Sequence, residues 1–246
     1  MITIVPARPA IGFTALLLVC ATLNSARAQD ASPWAEDDHS AVRLLAGSRS
    51  GAVVLGGIAF RLQPGWKTYW RTPGDSGVPP RFDFSKSDNV EAVTVLWPAP
   101  RPFPDGAGGT SLGYKDQVVL PLRIALKAAD KPVVLRMAIS YAVCDKLCVP
   151  VEANAELSFA SVASTEDNAL SSALDTVPKP ANVGDPNPVT IRDVHRDGPA
   201  NVTAPDLKRF TFALDGLPSG ANPDGAALKF TLVGGNRAYE FNVNLQ

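Results

Sequence analysis

Proline, glycine and aspartate cut this chain into lengths too short for long helices, and between the cuts lie apolar, β-branched runs at residues 41–45, 52–62, 66–70, 90–97, 118–126, 133–143 and 149–159. Such spacing predicts many short strands packed as a β-sandwich. Residues 58–62, Ile-Ala-Phe-Arg-Leu, alternate between two faces and stop at the turn pair Pro64-Gly65, whereas Asp75-Ser76-Gly77 and Pro79-Pro80 mark a loop. The 22 prolines and 19 glycines make an all-β chain the natural solution.

The first residues stand outside that pattern. Arg8 precedes an apolar run at 11–23 that ends in the small-residue site Ala26-Arg27-Ala28, so residues 1–28 are expected to be a secretory signal peptide. The run falls short of the roughly 20 residues a spanning helix needs, and no other segment is apolar for longer. An exported, soluble mature chain without a spanning helix follows. Leu17-Leu18-Val19-Cys20 offers a lipoprotein alternative, in which valine is a poor fit before the cysteine.

Losing Arg8 and Arg27 from 23 basic residues leaves 21 against 24 acidic ones, a balance that argues against nucleic acid as a partner. Loss of Cys20 leaves two cysteines, Cys144 and Cys148, which in an oxidising compartment can bond to each other and to nothing else in the chain. With His39 and His195 the only histidines and Met137 the only mature methionine, no metal or other cofactor is expected.

The mature length suits one large β domain or two small ones. Residues 29–160 carry the seven runs. Residues 161–188 read as a proline-rich linker with one short helix over 165–174, because Pro178, Pro180, Pro186 and Pro188 follow closely. Residues 189–246 form a smaller β-rich unit with strand-like runs at 189–194, 207–214, 226–233 and 238–245. Its last run carries no stop signal, which leaves truncation at Gln246 open.

The stretch SYAVCDKLCVPVEA, residues 140–153, sets two cysteines inside what otherwise reads as a hairpin. Alternation puts Met137, Ile139, Tyr141 and Val143 on a core face, with Ser140, Ala142 and Cys144 on the other; after the turn, Val149 and Val151 face inward and Cys148, Pro150 and Glu152 outward. Both cysteines therefore fall on the polar side. A three-residue turn, Asp145-Lys146-Leu147, would set them opposite each other at a Cα separation of roughly 4.5–5.5 Å that a disulfide can span.

Closing so small a loop stabilises by only about 2 kcal/mol, since the hairpin already holds its ends together. An outward bridge over a tight turn suits exchange better than stapling; a structural disulfide and a shared metal site remain the other readings. The spacing is C-x-x-x-C between strands, with Asp145 beside Cys144, rather than C-x-x-C at a helix N-terminus, where a dipole would favour the thiolate. Control by a covering loop is expected instead.

Together with LQPGWKTYWRTPGDSGVPPRFDF (62–84), WPAPRPF (97–103) and GYKDQVVLPLRI (113–124), the cysteine stretch resembles the amino-terminal periplasmic domain of the DsbD-type protein-disulfide reductases, including their copper-sensitivity-suppressor relatives. The resemblance covers residues 47–159. It implies an immunoglobulin-like domain that takes reducing equivalents from a membrane-embedded thiol protein and passes them to oxidised periplasmic proteins, as a component of a protein-disulfide reductase. Cys144 and Cys148 would carry that chemistry. The family's shielding loop corresponds to residues 102–110, here glycine-rich, with Phe103 and Asp105 as the candidate cap residues.

Around the pair, Tyr69, Trp70 and Tyr141 read first as sandwich packing beneath the hairpin, Tyr69 and Tyr141 being also candidates to support the site. Tyr114 after Gly113 is a turn residue or a buttress for the cap. Asp145 favours the turn more than it tunes a thiol, and Glu152 reads as a solvated face residue. Spacing does not decide which cysteine attacks, and the reading leans slightly to Cys144. Two rivals come from other classes: a copper-binding or copper-tolerance module using the dithiol, and a structural immunoglobulin-like domain with a stapling disulfide.

Overall fold

The structure, a computed structural model, describes residues 29–49, 51–74, 77–104, 109–181, 200–206, 209–214, 225, 227–234 and 237–244. The expected signal peptide, Asp105 and the run at 189–194 lie outside them. In chain order the first strands are β1 (Ala35–Glu36), β2 (Ser40–Ala46), β3 (Val53–Leu62), β4 (Lys67–Gly74), β5 (Arg81–Asp83), β6 (Val90–Val95), β7 (Arg101–Pro104), β8 (Thr110–Lys115), β9 (Gln117–Leu126), β10 (Val133–Cys144) and β11 (Cys148–Phe159). They form two sheets, β1-β2-β3-β9-β6 and β11-β10-β4-β8-β7, with β5 added to β10. The fold is all-β, an immunoglobulin-like sandwich.

Each of the seven apolar runs is a strand, for the reason the alternation gives: one face of each sheet must leave water. Val42, Ile58, Phe60 and Leu122 from the first sheet meet Trp70, Leu135, Met137 and Tyr141 from the second in one core, and burying each large side chain is worth about 1.5–3 kcal/mol. Phe60 and Tyr141 meet edge to face across the sheets, their rings 5.3 Å apart. A side chain at Gly56 would come within 2.9 Å of the Phe159 ring, so glycine sets how closely the sheets approach there.

Part of the stretch expected as a loop, residues 102–110, is strand. Arg101–Pro104 is β7, paired with β8 from Arg101↔Gly113 to Pro104↔Thr110. β7 is the last strand of its sheet, where a proline's missing N–H costs no ladder bond on the open side. Tyr114 accordingly sits within β8 rather than in a turn.

The segment read as a linker carries its expected helix. Its helix, α1 (Asp167–Asp175), is docked on the outer face of the first sheet. Leu170 is fully buried in a cluster with Leu45 and Ala59, over Gly57, where an added Cβ would lie 2.7 Å from the leucine. Asp167 accepts hydrogen bonds from the backbone and hydroxyl of Ser48, and Ala99 N donates to Thr176 O at 2.9 Å. Prolines downstream end the helix without freeing it.

Beyond it, β12 (Lys179–Pro180) runs parallel to β16 (Arg237–Asn244), which pairs with β15 (Ala227–Gly234); β13 (Ala200–Asp206) and β14 (Arg209–Leu214) make a separate hairpin. Arg71 of β4 reaches across to Glu240 and Thr231. Burial pushes the Glu240 carboxyl up, but Arg71 and Lys229 more than reverse it, so the group stays charged.

Candidate functional site: a redox disulfide at the tip of a hairpin

β10 and β11 are in register from Val133↔Phe159 to Cys144↔Cys148, and Asp145, Lys146 and Leu147 close the end. The two cysteines are bonded, their Cα atoms 4.1 Å apart, drawn a little closer by the bridge than an ordinary pair without ladder bonds. The turn is exposed, Leu147 to 78%.

One expectation is corrected here. Cys148 faces solvent, but Cys144 is 1% exposed, clustered with Tyr69 and Ala142. The cause is Tyr69, which lies on the outer face of the sheet and covers that flank. Its hydroxyl donates to Cys144 Sγ at 3.0 Å and lies 3.4 Å from Cys148 Sγ. The pair is therefore asymmetric: one sulfur is shielded beside a phenol, the other open.

Strand register fixes the surroundings. At the last rungs of β4 and β10, Val143 faces Thr68 and Cys144 faces Lys67; on the other side of β4, Lys67 faces Lys115, Thr68 faces Tyr114, and Tyr69 faces Gly113. Paired residues share a face, so Lys115, Lys67, Cys144 and Cys148 form one row across four strands. The next row holds Arg101, Gly113, Tyr69 and Ala142. Thr68 points the other way, its hydroxyl donating to Ala142 O at 2.9 Å and bracing the two strands.

Phe103 belongs to this outer face, with its ring 5.8 Å from the Lys67 ammonium and 4.9 Å from that of Lys115. Lys67 Nζ also donates to Pro104 O at 3.2 Å and Ser111 Oγ at 3.4 Å. Tyr114 and Tyr141 lie on the core face, away from the sulfurs: Tyr114 donates to Pro98 O at 2.8 Å, and Tyr141 shares a 2.8 Å hydrogen bond with Ser40. Burial pushes both phenols up, Tyr114 most, so they remain protonated. Asp145 is exposed in the turn.

Sequence reasoning missed Lys67 and Lys115. The alternation in Trp66-Lys67-Thr68-Tyr69-Trp70 carried the signal, since it puts Lys67 and Tyr69 on one face; which strand lies beside β4 was not legible. Among the described residues no three His, Cys, Asp or Glu side chains gather as metal ligands, and no helix is long and apolar enough to cross a membrane.

An immunoglobulin-like sandwich with a half-open disulfide at the end of a hairpin defines a thiol-disulfide interchange module. The sequence profile of "Thiol:disulfide interchange protein DsbD, N-terminal" matches residues 38–160, half of the chain, and the protein belongs to that family. Among solved structures, the N-terminal periplasmic domain of ScsB from Proteus mirabilis is similar at 22% identity and a TM-score of 0.66, covering 89% of this chain and 99% of that one. The reduced N-terminal domain of Neisseria meningitidis DsbD matches 48% of this chain and 83% of its own, at 16% identity and a TM-score of 0.31. No curated protein sequence matches the chain.

Proposed function

We propose that this protein is an exported carrier of reducing equivalents, which accepts them from a membrane-embedded thiol protein and passes them to oxidised periplasmic proteins. The observation that carries this reading is the asymmetry of the pair, open at Cys148 and buried at Cys144. In the reduced protein, the Cys148 thiolate attacks a partner disulfide; that bond breaks and one partner sulfur leaves as a thiolate. Cys144 then attacks Cys148 Sγ, releases the second partner sulfur and restores the protein disulfide. Two electrons pass to the partner. The earlier lean to Cys144 as attacker yields to access, because a partner can reach only the exposed sulfur in line. Phe103 serves as a shield at the rim, and Asp105 stays a candidate for the same role. Residues 29–160 are the exchange domain, and residues 189–246 a smaller accessory unit.

Single serine variants test the reading. Cys144→Ser, which keeps Cys148, should accumulate mixed disulfides with exported proteins in the periplasmic fraction. Equal absence of adducts from Cys144→Ser and Cys148→Ser would sink it.

A further inference from the structure

We infer that the disulfide selects its partners by charge, and that Lys115 and Arg101, with Lys67, form a basic collar favouring disulfides flanked by carboxylates. The inference rests on the interchange reading above and adds the class of substrate.

Register makes the case. Lys67 stands directly beside Cys144, and Lys115 one strand further in the same row; with strands about 4.8 Å apart, the Lys115 backbone is about 10 Å from that of Cys144. Arg101 occupies the next row, separated from Tyr69 only by Gly113, which has no side chain to fill the gap. A partner docking on Cys148 meets the end of a row that runs on through Cys144 and Lys67 to Lys115. Cys148 lies one strand further, about 14 Å from the Lys115 backbone, within a Debye length at low salt, so there the cations act on an incoming anion before contact.

The collar is held in place. Phe103 gathers the Lys67 and Lys115 ammonium groups over one ring, an arrangement that offsets part of their mutual repulsion. Among the described residues no carboxylate is ion-paired with Lys115 or Arg101. Asp145 and Lys146 are neighbours in the turn, Asp116 follows Lys115, and Asp105, next after Pro104 in the chain, lies outside the described residues. Glu152 on β11 lies four residues from Cys148, about 13 Å along the strand. Lys115 and Arg101, with Lys67, thus stand on the outer face at the end of the sheet that carries the sulfurs, in a chain whose net charge is −1.

Three small disulfides test this with the reduced full chain: glutathione disulfide, which is anionic, bis(2-hydroxyethyl) disulfide, which is uncharged, and cystamine, which is cationic. Each rate is divided by the rate of the same probe with dithiothreitol, which removes differences in intrinsic reactivity. The anionic probe should lead the cationic one by roughly tenfold at low salt, the gap closing as salt rises. In the double variant Lys115→Gln, Arg101→Gln the gap should shrink several-fold, and in Lys115→Glu, Arg101→Glu it should invert, circular dichroism confirming the fold. Lys67 is left intact, since it also holds Pro104 and Ser111. Normalised rates that ignore probe charge, or that these variants leave unmoved, would overturn the collar while leaving interchange standing. No exchange with any probe would overturn interchange itself, and the collar with it.

Discussion

The hydroxyl of Tyr69 donates a hydrogen bond to Cys144 Sγ across 3.0 Å, from the strand beside the cysteine hairpin. A disulfide sulfur is a weak acceptor and a thiolate a strong one, so the bond gains strength when the pair is reduced. Tyr69 thereby favours a thiolate at Cys144, the group to which the proposed route assigns resolution of the mixed disulfide; elsewhere a helix N-terminus favours such a thiolate.

Tyr69→Phe should therefore keep the fold and slow resolution. A hydrogen bond to a charged group is worth about 1.5 kcal/mol, or roughly tenfold in rate. The check is the pH dependence of alkylation at Cys144, read with Cys148→Ser in both proteins, which should move to higher pH when Tyr69→Phe is added; an unmoved profile would leave Tyr69 a packing residue only.

Cys144 and Cys148 should differ sharply as single thiols. Cys148, left by Cys144→Ser, should react with a bulky thiol reagent at least about tenfold faster than Cys144, left by Cys148→Ser, because the latter is sealed beneath Tyr69. Both variants should melt close to each other, since the bridge closes a loop worth only about 2 kcal/mol. Reaction at equal rates would contradict the asymmetry.

Helix α1 should behave as part of the sandwich. Leu170→Ala opens a cavity at a fully buried position and should cost about 2–5 kcal/mol. Fragment 29–181 should accordingly withstand more urea than fragment 29–160, and its helix should resist limited proteolysis. Equal midpoints for the two fragments would return the segment to the status of a linker.

Acid should loosen the same helix. The hydroxyl and backbone N–H of Ser48 hold Asp167 below the ordinary aspartate range, and Ser161 with Thr165 does the same for Asp30. A carboxyl lowered in the folded state stabilises it above its unfolded pKa, and that contribution drains away as pH falls below the ordinary aspartate value and through the lower folded one. Asp167→Asn should lower the urea midpoint at neutral pH and flatten its fall in acid. A parallel fall in variant and parent would remove Asp167 from the account.

The sequence displayed the sandwich more fully than the site. Alternation and turn residues sufficed for residues 133–143 and 149–159, because a strand's two faces are written in its own period. They misled at Pro102 and Pro104, whose strand lies at a sheet edge and so tolerates proline. Tyr69 read first as packing and then, with Tyr141, as a candidate support; what separates the two is the neighbour of β4, a matter of tertiary pairing. The same limit hid Leu170, whose seat is built from Leu45, Gly57 and Ala59, far away along the chain.

The unbroken register of β10 and β11, from Val133↔Phe159 to the cysteines, makes the covalent bond redundant for shape. Oxidised and reduced forms then present almost the same outline, and a partner gripping that outline would hold spent carrier as firmly as charged carrier. For the carrier proposed above, turnover then requires a brief encounter, with the transient mixed disulfide supplying the lasting grip, so tightening the interface would throttle the traffic.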